Sequence, residues 1–342
     1  MAEPILIWGA GAIGGTLGAY WARAGVDVLL VDVAAEHVEA CRTEGLTIEG
    51  PIESFTQIVP AATPGEVAGR YGRAVLAVKA HGTRDALAAL APHVAEDGFV
   101  LSAQNGLNEL AIAERLGPAR TMGCFVNFGA DWLGPGRILY GNRGAVVVGE
   151  IDGAVRERTR AMHELLRLFE PEAVLTDDIW GKLAYGAMLF GTALTNESMS
   201  ANFADPARFP AWLALGREVM AVAAAEGVSP RGFGKFRPEA FAPGRPEAEA
   251  RAVIAWLADY TSRTAKTHSG IHRDLAVRRR RTEVDAQVGI VAERGRARGV
   301  PTPVLDRLVE LIHAVEDGRR PLAPDTLHDL LAACPQASTP AR

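Results

Sequence analysis

The chain has 342 residues, of which 48% are hydrophobic and 23% charged, and its formal net charge is −5. That length suggests two domains, and the composition is that of a globular protein able to bury sizeable cores. A mildly acidic chain is a poor match for nucleic acid, whose phosphates want a basic surface. No apolar run reaches membrane-spanning length, so no membrane partner is expected. Met1-Ala2-Glu3-Pro4 has no basic stretch ahead of an apolar one, so a signal peptide is not expected either. Cys41, Cys124 and Cys334 have no metal-ligand spacing. They fit a reduced, cytoplasmic protein with no metal site.

Ile5-Leu6-Ile7-Trp8 reads as a buried strand leading into Gly9-Ala10-Gly11-Ala12-Ile13-Gly14, a G-x-G-x-x-G spacing. Thr16 to Ala24 follows as a helix. Val26 to Val31 is a second buried strand, and it ends in Asp32. Glu36 to Glu44 reads as a short helix, and Leu46 to Pro60 as an edge hairpin. Arg73 to Lys79 is a buried strand with Lys79 at its C-terminal end. Thr83 to Ala91 is a helix, and Gly98 to Ala103 a strand followed by Gln104-Asn105-Gly106. Leu110 to Leu116 is helical and Thr121 to Ala130 extended. Arg137 to Tyr140 and Ala145 to Gly149 read as a hairpin closing the sheet. Val155 to Phe169 is an amphipathic helix, and Ala173-Val174-Leu175 a last strand.

Beyond Asp177 the strand signal nearly vanishes. Trp180 to Leu194, Arg208 to Ala225, Pro246 to Thr264, Arg281 to Arg298 and Pro303 to Ala314 carry helical periodicity, and Pro324 starts a short last helix. Pro246 suits the first turn of its helix. The expected organisation is an α/β domain over residues 1–177, an all-helical domain over 178–334 and a disordered tail over 335–342.

A strand, a glycine turn, a helix and a strand ending in an acid form the dinucleotide-binding unit of Rossmann-type domains. Gly9 allows the tight turn, Gly11 lets backbone approach a pyrophosphate, and Gly14 lets the helix lie close to the sheet. The amides around Ala12 and Ile13, at the helix N-terminus, face the phosphates. Asp32 lies 18 positions after Gly14, where a carboxylate accepts ribose hydroxyls and repels the extra phosphate of NADP. No basic residue follows in Val33-Ala34-Ala35, so NAD is favoured, with NADP the alternative. Ligands of open α/β sheets bind beyond the strands' C-terminal ends, where Lys79 and Gln104-Asn105-Gly106 lie.

Across Ile5 to about Val315 the chain resembles the ketopantoate (2-dehydropantoate) 2-reductase family. The resemblance rests on the glycine loop, Val78-Lys79-Ala80, Gln104-Asn105-Gly106 and Gly134-Pro135-Gly136. It continues in Trp180-Gly181-Lys182-Leu183, in Arg280-Arg281-Thr282-Glu283-Val284-Asp285 with Gly289, and in Thr302-Pro303. It implies reduction of a 2-keto group by nicotinamide hydride. Lys182 would be the general acid, and Glu283 would hold a substrate hydroxyl. Asn105 would contact cofactor and substrate, and Lys79 the cofactor side. A lysine on a largely apolar helix also suits a desolvated amine.

The chain departs from the family pattern at several places. Asparagines four and eight positions after the lysine are Gly186 and Phe190 here, and a later one falls on Ser200, with Asn196 and Asn202 nearby. A serine expected four residues before Asp274 is Gly270, beside Ser269. Losing two amides removes hydrogen bonds, Gly186 leaves room, and Phe190 makes the wall apolar. The expected substrate is therefore bulkier or less polar than ketopantoate. Arg278 to Arg281 reads as a solvated helix end or an anion site. His268, His272 and His81 read as structural residues or as ligands.

Two alternatives remain open on the residues alone. One is a genuine 2-dehydropantoate 2-reductase serving pantothenate and coenzyme A synthesis. The other is a dinucleotide-binding protein without catalysis. A helical second domain with an apolar face also points to a homodimer.

Overall fold

The computed structural model describes residues 3–175, 180–230, 232, 235–264 and 266–335. The chain divides into two compact units, Met1–Ile179 and Trp180–Arg342. The boundary expected near Asp177 and the tail beyond Pro335 lie outside the described residues.

The first unit opens with β1 (Ile5–Trp8), α1 (Ala12–Arg23), β2 (Val28–Val31) and α2 (Ala35–Thr43). Two short strands, β3 (Leu46–Glu49) and β4 (Phe55–Gln57), form the expected hairpin, and β5 (Ala61–Ala62) follows. Then come β6 (Tyr71–Leu76), α3 (Thr83–Leu90), β7 (Val94–Ser102), α4 (Asn108–Leu116) and β8 (Thr121–Val126). The unit ends with β9 (Gly129–Gly134), β10 (Arg137–Asn142), β11 (Val146–Glu150), α5 (Glu157–Phe169) and β12 (Val174–Leu175).

The main sheet has eight strands in the order β12-β11-β8-β7-β6-β1-β2-β5. It is parallel from β8 to β5, and β11 runs antiparallel to β8. Four strands, β4-β3-β10-β9, make a second sheet. This corrects the hairpin expected from Arg137 to Gly149: β10 pairs with β3 and β9, while β11 pairs with β8 and β12. The burial patterns explain the split. Every residue of β11 is buried, as in a strand covered on both faces. In β10 only Ile138 and Tyr140 are buried, so a single covered face suffices.

Glycines let α1 lie close to both sheets. A Cβ on Gly15 would stand 2.5 Å from Ile138 Cδ1 of β10, and one on Gly18 would stand 2.6 Å from Leu30 Cδ2 of β2. A methyl on Gly15 would also meet backbone, Ala10 O at 2.7 Å, so that position has no room for one, whereas at Gly18 it would press on the tip of Leu30.

The second unit is helical among its described residues. It comprises α6 (Gly181–Thr192), α7 (Met199–Ala204), α8 (Phe209–Ala225), α9 (Glu247–Ser262), α10 (Gly270–Ala276), α11 (Ile290–Arg298), α12 (Pro303–Glu316) and α13 (Pro324–Leu331). Its core holds Phe190, Trp212, Phe236 and Phe241, all fully buried. Glu218 of α8 accepts the amides of Val304 and Leu305 at 2.9 and 2.8 Å, capping α12. The helix expected from Arg281 starts later. Arg279 has φ +49, and a π-type turn over Asp285–Gly289 leads into α11. Pro246 stands just ahead of α9 rather than in its first turn.

Candidate active site

Four neighbouring strands of the first unit end together. The Gly9 amide donates to Val31 O at 2.7 Å, Ala77 to Trp8 O at 2.8 Å, and Ala103 to Leu76 O at 2.9 Å. The glycine loop, the segment around Lys79 and the Gln104-Asn105-Gly106 turn therefore leave β1, β6 and β7 side by side. Gly9 has φ +100, and a Cβ there would meet Val78 N at 2.8 Å. Both facts demand glycine. A Cβ on Gly14 would lie 2.0 Å from Gly9 O, so the loop closes on itself through two positions without side chains.

Gly11 is different. A Cβ there would meet nothing within 4 Å. Its side faces open space, as a position approached by a ligand must. Gly15 donates to Gly11 O at 2.8 Å, the first bond of α1. The amides of Ala12, Ile13 and Gly14 find no acceptor among the described residues, and the first turn carries no acidic residue. Three free N–H groups at the positive end of a helix are a ready anion site, so this loop fits a dinucleotide pyrophosphate.

Asp32 is half-buried. Its Oδ2 accepts the Ala10 amide at 2.9 Å and its Oδ1 the Ala34 amide at 3.0 Å. Each oxygen keeps a lone pair for a further donor. His37 of α2, only 1% exposed, supports the same loop. Gly136 donates to its Nδ1 at 2.9 Å, so Nε2 carries the proton and donates to Ala10 O at 2.8 Å. Sequence reading missed His37. The available signal was a histidine on the buried face of the helix that follows Asp32.

Gln104 is buried. Its Nε2 donates to Val78 O and to Thr83 Oγ1, both at 2.8 Å. Thr83 donates to Asn108 Oδ1 at 3.0 Å, and Asn108 donates to Asn105 O at 2.7 Å. This relay fixes the backbone of Asn105 against the segment that carries Lys79. Asn105 is half-buried, while Lys79 and His81 are exposed.

In the second unit, Lys182 and Gly186 lie one turn apart on α6 and share a face. Gln287 donates its amide to Glu283 O at 3.1 Å, so those two also lie one turn apart. Gly186 and Gln287 face each other. Apart from its own helix, the nearest atom to a Cβ on Gly186 would be Gln287 Oε1, at 3.7 Å. Lys182, Glu283 and Gln287 are all half-buried. Phe190, on the Lys182 face but two turns on, is 0% exposed and belongs to the helical core.

The other candidates are held within the fold. Ser269 Oγ accepts the His272 amide at 3.2 Å and caps α10. His268 and His272 pack with ring centroids 4.4 Å apart, and each Nε2 pairs with an Asn196 oxygen. Burial, then the neighbouring His268, lowers the pKa of His272. Ser200 donates to Ala258 O at 2.9 Å, and Asn202 is buried against Thr195 and Ser198. Arg278 and Arg280 each reach Asp274 Oδ1 at 3.0 Å, and Arg281 reaches Glu316 and Asp317. No group of three or more metal-ligating side chains occurs among the described residues. No helix among them is long and apolar enough to cross a membrane.

The family model described as ketopantoate reductase PanE/ApbA matches residues 5–153, and its C-terminal companion matches residues 174–316. A 2-dehydropantoate 2-reductase of Mesorhizobium japonicum is 30% identical, with 92% of this chain and 98% of the relative covered. One from Archaeoglobus fulgidus is 27% identical, with 92% and 99% covered. Among solved structures, D-mandelate dehydrogenase with NADH and anilino(oxo)acetate superposes with a TM-score of 0.77 at 24% identity, covering 92% of this chain and 99% of that one. The PanE/ApbA family ketopantoate reductase of Ralstonia eutropha gives 0.74 at 24% identity, with the same coverage. At that identity the two structures speak for the fold.

Proposed function

The chain belongs to the ketopantoate reductase family of NAD(P)-dependent oxidoreductases, and from that premise we propose that it reduces a 2-keto acid or related ketone, or oxidises the matching alcohol. The substrate is bulkier or less polar than ketopantoate. The observation that carries this reading is Gly186 itself, one turn from Lys182 on α6, where the family pattern has an asparagine and this chain offers no side-chain amide to a polar keto acid.

Bound nicotinamide supplies the hydride. Lys182 gives a proton to the carbonyl oxygen as it becomes an alkoxide, and its positive charge stabilises that oxygen. Glu283 accepts a hydrogen bond from a substrate hydroxyl. Asn105, its backbone fixed by Asn108, presents its amide to the cofactor and the acceptor. Lys79 binds on the cofactor side. Ser269, committed to its helix cap, offers a remaining lone pair. Phe190 anchors α6 in the helical core. Asp32 selects NAD over NADP by charge. Three buried cysteine thiols suit a cytoplasmic protein. Exposed Tyr260 and Val277 on the helical unit suit a homodimer.

A panel of 2-keto acids, ketones and matching alcohols, assayed with NADH or NADPH and with NAD+ or NADP+, tests the reading. Lys182→Ala is expected to lower kcat by roughly 10²–10⁴-fold on the best substrate. Unchanged turnover in that variant overturns the mechanism. Names of relatives such as the Mesorhizobium protein favour a second reading, reduction of ketopantoate itself. Rapid NADPH-dependent turnover of ketopantoate would establish it and displace the divergent substrate.

A further inference from the structure

We propose that Gln287 is a specificity-determining residue whose side-chain amide, packed against Gly186, hydrogen-bonds the carboxylate of the 2-keto acid. The proposal rests on the hydride-transfer reading above. It adds to that reading the group that recognises the acid.

Position is the first argument. A Cβ on Gly186 would have one neighbour within 4 Å outside its own helix, the Gln287 amide oxygen at 3.7 Å. The face of α6 at the glycine is therefore covered by a polar group. Lys182 lies one turn from Gly186 and Glu283 one turn from Gln287, so the amide belongs to the patch that holds both ionisable side chains.

Its hydrogen-bonding state is the second argument. Gln287 is half-buried, yet its side chain makes no hydrogen bond with any described residue. Its neighbours are committed. Thr282 donates to Glu316 Oε1 at 2.7 Å, and Asp285 pairs with His313 at 3.1 Å. A half-sheltered amide that is not committed within the protein keeps its two N–H donors for a ligand.

Backbone form is the third. Gln287 lies inside the π-type turn Asp285–Gly289. Such turns place one extra residue in a helix, re-aim its side chains and recur at functional sites.

Charge then decides which substrate group the amide takes. Glu283 repels a carboxylate, and Lys182 is engaged by the carbonyl oxygen. A primary amide has two N–H donors, and half a turn about its last bond presents them in place of the oxygen. The carboxylate goes to Gln287.

The test uses Gln287→Leu and Gln287→Met, two uncharged side chains of similar length. Steady-state kinetics are measured at saturating reduced cofactor on the best 2-keto acid and on the matching ketone that lacks the carboxylate. The KM for the acid is expected to rise roughly tenfold in both variants, the size of one lost hydrogen bond to a charged group. The kcat, the cofactor KM and all constants for the ketone should stay within about twofold, because only binding of the acid is affected. An unchanged KM for the acid, or an equal loss for acid and ketone, in a variant with wild-type melting overturns the proposal alone. A wild-type protein that reduces neither compound overturns the reading beneath it, and the proposal with it.

Discussion

Asp32 accepts the amide of Ala10 at 2.9 Å, so the acid that ends β2 also fixes the first bend of the glycine loop. One carboxylate thereby shapes the glycine loop and, on the reading proposed above, would present its charge to an adenosine ribose. Asp32→Asn keeps an acceptor for Ala10 and removes the charge. The KM for NADPH relative to NADH is expected to fall roughly tenfold, since the repulsion of a 2′-phosphate is gone. A wild-type enzyme that already prefers NADPH would refute the assignment of Asp32.

His37 ties the same loop to the turn between β9 and β10. Its ring joins Ala10 O and the Gly136 amide at 2.8 and 2.9 Å, and alanine would leave both groups buried without a partner. His37→Ala should lower stability by about 1–3 kcal/mol and weaken cofactor binding roughly tenfold. Thermal melting and quenching of reduced-cofactor fluorescence report the two effects. Lower melting with unchanged cofactor affinity would show that the loop does not depend on the ring.

The glycines of the loop separate fold from ligand. A methyl on Gly14 would collide with Gly9 O at 2.0 Å, whereas a methyl on Gly11 would touch nothing. Gly14→Ala is expected to cost about 1–3 kcal/mol through overpacking. Gly11→Ala should leave stability within about 0.5 kcal/mol. Its loss should fall on dinucleotide affinity, measured by titration. Equal affinity in Gly11→Ala and wild type would place the pyrophosphate elsewhere.

Local features of the sequence carried most of this architecture. Ile5 to Asp32 was legible because short apolar runs, a glycine spacing and a terminal acid are each set by neighbouring residues. The partners of β10 and β11 were not, because strand pairing is decided across the fold. Only the difference between Val146-Val147-Val148 and the alternating Arg137-Ile138-Leu139-Tyr140 hinted that the two strands go to different sheets. Helices α7 and α10, six and seven residues long, are too short for a 3.6-residue period to stand out. At the candidate site, Lys182 and Glu283 came from motif resemblance. Gln287 carried no such signal, since its proximity to Gly186 exists only once two helical segments pack. His37 was hidden for the same reason.

Glu109 supplies a prediction that is independent of any ligand. It lies in the first turn of α4, just after the Gln104-Asn105-Gly106 turn, and is 3% exposed with no partner for Oε1. A helix N-terminus favours an anion, but burial prevails and pushes its pKa from 4.5 up to about 8. Between those two values the folded protein holds a proton that the unfolded chain has released. Stability from this group is therefore fully present below pH 4.5, declines as pH rises and is lost once pH passes about 8. The slope approaches about 1.4 kcal/mol per pH unit within that window. A glutamine side chain mimics the protonated acid in shape and never ionises, so the Glu109→Gln variant should lose this decline and surpass the wild type increasingly from about pH 5 to roughly pH 8. Urea unfolding of both proteins at intervals of about one pH unit measures the difference. A constant difference across the series would mean that Glu109 is ionised in the folded protein, with a partner that compensates its burial.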